Sequence, residues 1–212
     1  AKFLGVIIIS ETLRPEVKEV TAKLRGFGIK TFMLTGDTKT NAEVFSKEAG
    51  LDGYFAEILP SGKANIIKEL QIDQNVVAMV GDGVNDAPAL VQAGIGISLA
   101  SGTDIAIKSS SISIIGGDLR AIVKAFILSR KTMTIIKQNL FWAFFYNIAL
   151  IPVAAGVLYP LFNALGGVPS SLEFFVGTQG FLNPVLAAVA MAFSSLSVIS
   201  NAMRLKRPPL VQ

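Results

Sequence analysis

The sequence has 212 residues, of which 51% are hydrophobic and only 16% are charged. A soluble domain usually carries about 25% charged residues, so this balance favours a protein that is partly embedded in a membrane. Neither cysteine nor histidine is present. Their absence excludes a disulfide framework, a cysteine-based zinc site and a Cys or His nucleophile within these residues.

The charges are distributed unevenly along the chain. Residues 1–118 hold 11 basic and 14 acidic side chains, whereas residues 119–137 hold five basic and no acidic ones. Between Lys137 and Arg204 the only charged side chain is Glu173. The net charge of +4 therefore reflects a basic collar beside an apolar region, as the positive-inside rule expects. We expect no nucleic-acid partner.

The first half of the sequence alternates β-rich segments with amphipathic helical segments. Strands are predicted at 4–9, 29–34, 76–80, 94–99 and 112–115. Helices are predicted at 15–27, 38–49, 63–70 and 86–93. This alternation predicts an α/β, Rossmann-like fold with a parallel sheet and helices on both faces. The chain enters its first strand without Met or a signal-peptide pattern, so we interpret Ala1 as a point inside a longer protein.

Two long apolar segments follow, at about 140–162 and 182–203. About 20 apolar residues suffice to cross a bilayer. Basic residues flank the outer ends of both segments, which predicts an α-helical transmembrane hairpin with a cytoplasmic C-terminal tail. Residues 119–139 are predicted to form a basic connecting helix. The alternative, a pair of core helices in a soluble protein, is disfavoured by the flanking cations.

The most specific motif is the string GDGVNDAPA at residues 81–89. It follows a predicted strand, and ligands of doubly wound sheets bind at the carboxyl ends of strands. Asp82 and Asp86 lie four residues apart, so both can approach one cation, and oxygen ligands suit Mg²⁺ shared with a phosphate. The alternative is an acidic turn that caps the next helix.

Two weaker motifs accompany this string. Thr35, Gly36 and Asp37 lie between a predicted strand and a helix, where a hydroxyl and free amides can hold an anion. An ordinary helix cap has the same composition. Lys63 lies at the start of a predicted helix, where its charge is mildly unfavourable. It is either a solvated side chain or a cation that neutralises a transferring phosphoryl group.

In this order, the three motifs resemble the later motifs of P-type ATPases, within the haloacid dehalogenase-like superfamily. The resemblance implies that residues 1–118 form part of a phosphorylation domain with a haloacid-dehalogenase-type sheet, using Mg²⁺ and ATP. It implies that Thr35 and Gly36, in one turn with Asp37, hold a phosphoryl oxygen, and that Lys63 neutralises it.

The resemblance also implies that Asp82 ligates Mg²⁺, supported by Asn85 and Asp86. In the family, the nucleophile is the Asp of an Asp-Lys-Thr-Gly-Thr motif that lies upstream of all these motifs. The sequence at residues 37–40 looks similar but belongs to the Thr-Gly-Asp turn. We therefore expect the isolated chain to form no aspartyl phosphate, and the nucleotide-binding and actuator domains to be elsewhere.

Polar residues in the apolar segments suggest an ion path. Polar groups inside a membrane span are costly and usually functional. Each of them has an ordinary interpretation, since Met fills cores and Ser assists helix packing. Together they resemble the copper-type branch of the heavy-metal ATPases, in which they contribute to the transport site. The residues are Tyr146, Asn147, Met191, Ser194 and Ser195.

This resemblance implies export of Cu(I), for which a thioether is a suitable ligand. The implied partners are membrane lipid, the remaining domains of the same ATPase and a copper chaperone. The implied location is the plasma (inner) membrane, with the soluble domain and C-terminus cytoplasmic. Three alternatives remain: a zinc, cadmium or cobalt pump, a membrane-anchored phosphatase of the same superfamily, and an inactive relic. The loop at 163–179 is long for the family.

Overall fold

The computed structural model describes residues 12–81, 84–99 and 108–206. The chain divides into two compact units, Ala1–Ala125 and Phe126–Gln212. The strand predicted at 4–9 lies outside the described residues.

The first unit alternates helices and strands as expected for an α/β fold. Its helices are α1 (Val17–Gly26), α2 (Lys39–Ala49), α3 (Pro60–Leu70) and α4 (Ala87–Gln92). Its strands are β1 (Phe32–Leu34), β2 (Gly53–Phe55), β3 (Ala78–Gly81), β4 (Ile95–Leu99) and β5 (Ile112–Ile114). Single 3-10 turns occupy Ile72–Gln74 and Val84–Asp86. The α/β prediction is confirmed.

All strand pairs in the described part of the chain are parallel. β1 pairs with β2, and β4 lies between β3 and β5. The sequence did not predict β2, which is only three residues long. Pairing places Met33 opposite Tyr54, so tertiary contact with β1 defines this strand rather than a pattern of its own.

Local sequence explains where the helices begin and end. Gly50 adopts a left-handed conformation (φ +68°) at the end of α2, which a residue without a side chain adopts at little cost. Pro60 occupies the first turn of α3, where its missing N–H has no partner to lose. The sequence predicted that α3 begins at Lys63. Because of Pro60, the helix begins three residues earlier.

Two buried clusters hold the first unit together. One joins Ile67 of α3, Met79 of β3 and Leu90 of α4, and Leu34 of β1 packs against it. The other joins β4 and β5 through the buried side chains of Ile97, Leu99 and Ile114. The first cluster matters for function because Leu34 ends β1 and Met79 lies two residues before the end of β3, and the motifs lie at these strand ends.

The second unit contains most of α5 (Arg120–Ala154), then α6 (Tyr159–Ala164), α7 (Glu173–Val176) and α8 (Pro184–Met203). The predicted connecting helix and the first apolar segment are thus one helix. The structure differs from the predicted span at its end, because α5 stops at Ala154 rather than Phe162. Gly156 then adopts φ +87° and starts a turn before α6.

One helix of the described residues, Pro184–Lys206, is long and apolar enough to cross a membrane. This finding rests on length and composition, which core helices of soluble proteins also satisfy. It agrees with the second predicted span. The uncharged part of α5 is shorter than predicted because the helix ends at Ala154.

A folded segment connects α6 to α8. A side chain on Gly156 would overlap the Phe181 ring, and one on Gly180 would lie 2.8 Å from the Phe162 ring. Both glycines therefore allow aromatic rings to pack on the backbone. Asn183 then caps α8, since its Oδ1 accepts a hydrogen bond of 2.9 Å from the Val185 amide.

Candidate functional site

The Thr35 turn follows β1 directly and is held by β2. The Thr35 amide donates to the Phe55 carbonyl at 2.9 Å, and the Ile58 amide donates to the Thr35 carbonyl at 3.1 Å. The Thr35 hydroxyl accepts a hydrogen bond of 3.1 Å from the Asp37 amide. A side chain on Gly36 would lie 3.4 Å from the Ile58 carbonyl oxygen. The turn is therefore fixed by a strand that the sequence did not reveal.

Asp37 organises the start of α2. Its Oδ1 accepts a hydrogen bond of 2.8 Å from the Thr38 amide. Both of its carboxylate oxygens also lie 3.2 Å from Nδ2 of Asn41. These contacts give Asp37 a structural role at the helix start, in addition to its predicted place in the motif.

A small cavity of about 130 Å³ opens beside this turn. Among its lining residues are Thr35, Asp37, Met33 and Phe45. The volume is well below the roughly 300–1,000 Å³ of sites for drug-sized ligands. It suits a phosphoryl-sized group better than a whole nucleotide.

Lys63 and Asp86 form a largely enclosed ion pair. Nζ of Lys63 lies 2.7 Å from Oδ1 of Asp86, and the two side chains are 17% and 13% exposed. α3 supplies the lysine, and the turn after β3 supplies the aspartate. Charge-assisted hydrogen bonds of this length are stronger than neutral ones. The structure therefore brings together two of the residues that the sequence predicted for one site.

Gly81 makes room for the aspartate. A side chain at this position would lie 2.8 Å from both Cβ and Oδ2 of Asp86. Because Gly81 is the last residue of β3, its lack of a side chain lets the Asp86 carboxylate reach the strand end. Asn85, by contrast, is exposed.

The predicted Mg²⁺ site is only partly described, because Asp82 lies outside the described residues. Within residues 12–81, 84–99 and 108–206, no group of three metal-binding side chains is present. Oδ2 of Asp86 nevertheless lies against Gly81 at the strand end, and carboxylate oxygens are suitable ligands for Mg²⁺. The described donor thus fits the ion.

The predicted ion-path residues lie on α5 and α8 of the second unit. Tyr146 and Ser194 are half-buried, whereas Asn147 and Met191 are exposed within this chain. Asn147 donates to the Ala143 carbonyl at 2.7 Å. The Ser195 hydroxyl donates to the Met191 carbonyl at 3.3 Å, and these two residues lie one turn apart on a common face of α8.

Tyr146 lines an apolar cavity of about 420 Å³ within the second unit. Leu150 of α5 and Ala190 and Phe193 of α8 contribute to the wall, and Phe175 contributes from α7. Of the five predicted ion-path residues, Tyr146 is the one that borders this cavity.

Comparison with known proteins identifies the family. The haloacid dehalogenase-like hydrolase family matches residues 1–94. The chain is 46% identical over 209 residues to a copper-exporting P-type ATPase of Staphylococcus haemolyticus, and 45% identical over 209 residues to one of Legionella pneumophila. Each alignment covers 99% of this chain. The structure is similar to that of a zinc-transporting PIB-type ATPase in the E2·Pi state, with a TM-score of 0.73 and 32% identity over 93% of the chain.

These findings define a haloacid dehalogenase-like hydrolase domain followed by an apolar helical unit. The chain belongs to the P-type ATPase family, so the resemblance stated from the motifs is confirmed. It spans 23% and 26% of the two copper-exporting relatives, and 28% of the solved zinc-transporting protein.

Proposed function

We propose that this chain is the C-terminal part of a longer ATP-driven exporter of Cu(I). Its 46% identity to a copper-exporting ATPase across 99% of the chain is the observation that carries the proposal. The full protein would couple hydrolysis of ATP, through an aspartyl-phosphate intermediate, to movement of the ion across a membrane. The phosphorylated Asp would belong to a preceding segment.

The first unit would position the phosphoryl group and stabilise its charge. Phosphoryl transfer requires little covalent chemistry from the protein beyond positioning and electrostatics. The Thr35 hydroxyl and Gly36 amide would hold a phosphoryl oxygen beside the small cavity. Lys63 would contribute a positive charge from its position against Asp86.

Asp82 and Asp86 would hold Mg²⁺, with Asn85 beside them. When bound, the ion neutralises phosphoryl oxygens and orients the group for in-line attack. Lys63 and Mg²⁺ would then both act near the Asp86 carboxylate. In this arrangement Lys63 keeps Asp86 oriented toward the strand end.

The second unit would supply part of the path for the ion. Tyr146, Asn147, Met191, Ser194 and Ser195 offer one thioether and several oxygen ligands, without a charged group. A soft thioether favours Cu(I) over harder divalent cations. These residues would act with ligands from helices in the preceding part of the protein.

Zinc is the second candidate cargo, because the similar solved structure is that of a zinc-transporting ATPase. A divalent cation in a membrane usually has an acidic partner, and charged groups there are expensive and functional. Between Lys137 and Arg204 the one charged side chain is Glu173, in the connecting segment. This distribution supports copper.

The proposed location is a plasma (inner) membrane, with the hydrolase unit and the C-terminus on the cytoplasmic side. Basic residues before the apolar part of α5 and after α8 support this orientation. Membrane lipid, the other domains of the ATPase and a copper chaperone are the proposed partners.

Metal-stimulated ATP hydrolysis by the full-length protein tests the proposal. We expect Cu(I) to stimulate hydrolysis at least tenfold more than Zn²⁺. Met191→Leu should remove most of this stimulation, because it replaces the thioether with a side chain of similar size. Met203→Leu, at the exposed end of α8, is the matched control and should retain it. Stimulation by Zn²⁺ with no response to Cu(I) would reject the copper assignment.

A further inference from the structure

A polar cluster connects α5 and α8 outside the predicted ion path. Nδ2 of Asn201 donates to Oδ1 of Asn139 at 2.9 Å and to Oε1 of Gln138 at 3.2 Å. Oδ1 of Asn201 accepts a hydrogen bond of 3.0 Å from Nη1 of Arg204. Asn139 and Asn201 are both half-buried. The Asn201 amide therefore uses its donor and its acceptor groups within the second unit.

The cluster lies at equal distances from two predicted ion-path residues. Tyr146 follows Asn139 by seven residues, and Ser194 precedes Asn201 by seven residues. Seven residues make about two helical turns, so each pair shares a face of its helix, about 10 Å apart. An antiparallel arrangement of α5 and α8 would place Tyr146 and Ser194 at the same level.

The apolar cavity supports this register independently. Leu150 and Ala190 both line it, and each lies one turn beyond Tyr146 and Ser194 as counted from the cluster. The hydrogen bond at one end and the shared cavity further along thus describe the same antiparallel alignment. An axial slip of one turn would break the Asn139–Asn201 bond and change which residues face each other at the cavity.

We propose that Asn139 and Asn201 form a register lock between α5 and α8, which sets the level of Ser194 relative to Tyr146. Apolar side chains allow several alignments of two helices, because their contacts are not directional. One paired polar residue selects a single alignment, because every other alignment leaves its hydrogen-bonding groups without partners. Asn139 and Asn201 are positioning residues, and their significance for the ion path depends on the proposed function.

Disulfide cross-linking within this chain tests the lock, because the sequence has no native cysteine. One double variant carries Leu150→Cys and Ala190→Cys, the in-register pair. A second carries Leu150→Cys and Leu186→Cys, displaced by one turn. Both are made in the full-length protein with any cysteine outside these residues replaced by serine, reconstituted in phosphatidylcholine–phosphatidylglycerol vesicles and oxidised with iodine. The measured quantity is the ratio of the two cross-linking rates.

Asn201→Leu should lower this ratio at least threefold, because Leu has a similar size and cannot form the bonds. Asn201→Asp should preserve it, since the Asn139 amide can rotate to donate to the new carboxylate. Asn139→Leu should reproduce the loss, which provides a second variant if Asn201→Leu disrupts the helix pair. The matched control, Ser200→Leu, changes the exposed neighbour and should keep the native ratio.

An unchanged ratio in Asn139→Leu, or in an Asn201→Leu chain that retains its helix pair, would overturn the lock. An equal decrease of the cross-linking ratio in Asn201→Asp and Asn201→Leu would also overturn the register lock. The assay needs neither metal nor nucleotide, so its result is separate from the cargo assignment. Cu(I)-stimulated hydrolysis failing in the full-length protein while the ratio behaves as expected would reject the proposed function alone.

Discussion

Lys63 and Asp86 are 23 positions apart in sequence, yet their side chains meet at 2.7 Å beside the end of β3. The pair is enclosed by the protein, with exposures of 17% and 13%. Removing one member of such a pair leaves an uncompensated charge in a poorly solvated place. This contact connects α3 to the strand end at which the proposed phosphoryl chemistry would occur.

Lys63→Met should therefore loosen the strand end as well as remove a charge from the site. We expect it to reduce local stability by about 1–3 kcal/mol. The double variant Lys63→Met/Asp86→Asn should lose less than the sum of the single changes, because the two charges interact. Amide hydrogen exchange in Ala78–Gly81 measures the effect. If the loss of stability in the double variant equals the sum of the losses in the single variants, the Lys63–Asp86 ion pair does not stabilise this strand.

Gly81→Ala should disturb the same contact from the other side. The added Cβ would lie 2.8 Å from the Asp86 side chain, so the carboxylate must move away from the strand end. We expect a loss of about 1–3 kcal/mol, as is usual for overpacking, and weaker Mg²⁺ binding by calorimetry. Gly26→Ala is the control, because nothing lies within 4 Å of its new methyl group and it lies in α1. Native Mg²⁺ affinity in Gly81→Ala would contradict this role of Asp86.

Asp37→Ala should weaken the start of α2. It removes the acceptor of the Thr38 amide and both contacts with Asn41. Loss of an intramolecular hydrogen bond typically costs about 1 kcal/mol. Asp37→Asn keeps an acceptor oxygen and should retain most of the stability. If Asp37→Ala unfolds at the same denaturant concentration as the native chain, these side-chain contacts do not stabilise the helix.

Asp52 should make the stability of the first unit depend on pH. The Thr31 amide donates to Oδ2 of Asp52 at 2.7 Å and, with Arg25, lowers the pKa of this carboxyl. A folded-state pKa below the unfolded value stabilises the fold above about pH 4. That contribution disappears as pH falls through the folded pKa. Denaturant midpoints should thus be lower for Asp52→Asn than for the native chain at pH 7, and this difference should shrink as pH falls below about 4.

A control separates this effect from the loss of any surface charge. Glu69→Gln changes an exposed carboxylate in α3 and should leave the midpoint near its native value throughout this pH range. A difference between Asp52→Asn and the native chain that does not shrink as pH falls would assign the effect to something other than the charged carboxylate.

The alternation of strands and helices was predictable because each element carries its own pattern. Periodic apolar residues identified α1, Gly50 marked the end of α2, and the apolar run before Gly81 identified β3. β2 was not predicted, because its three residues, Gly53–Phe55, are too few to show a periodic apolar pattern. Its strand geometry depends on pairing with β1, which is a tertiary contact.

The membership of the candidate site was predictable, but its contacts were not. Motif spacing indicated Lys63 and Asp86 separately, while their ion pair depends on how α3 packs against β3. The end of α5 was predicted incorrectly for a similar reason, because it too depends on tertiary packing. Apolar composition continues past Ala154, and the packing of Phe181 on Gly156 has no signal in the local sequence. Asn139 and Asn201 were overlooked because a bond between residues 62 positions apart leaves no local pattern.

Uptake of radioactive copper into vesicles tests the central claim most directly. The full-length protein would be reconstituted with its hydrolase domain outside and supplied with ATP, Mg²⁺ and ⁶⁴Cu(I). We predict ATP-dependent accumulation of copper that Asp82→Asn abolishes and Met191→Leu strongly reduces, while Met203→Leu transports normally. Accumulation of ⁶⁵Zn²⁺ without accumulation of copper under these conditions would contradict the account.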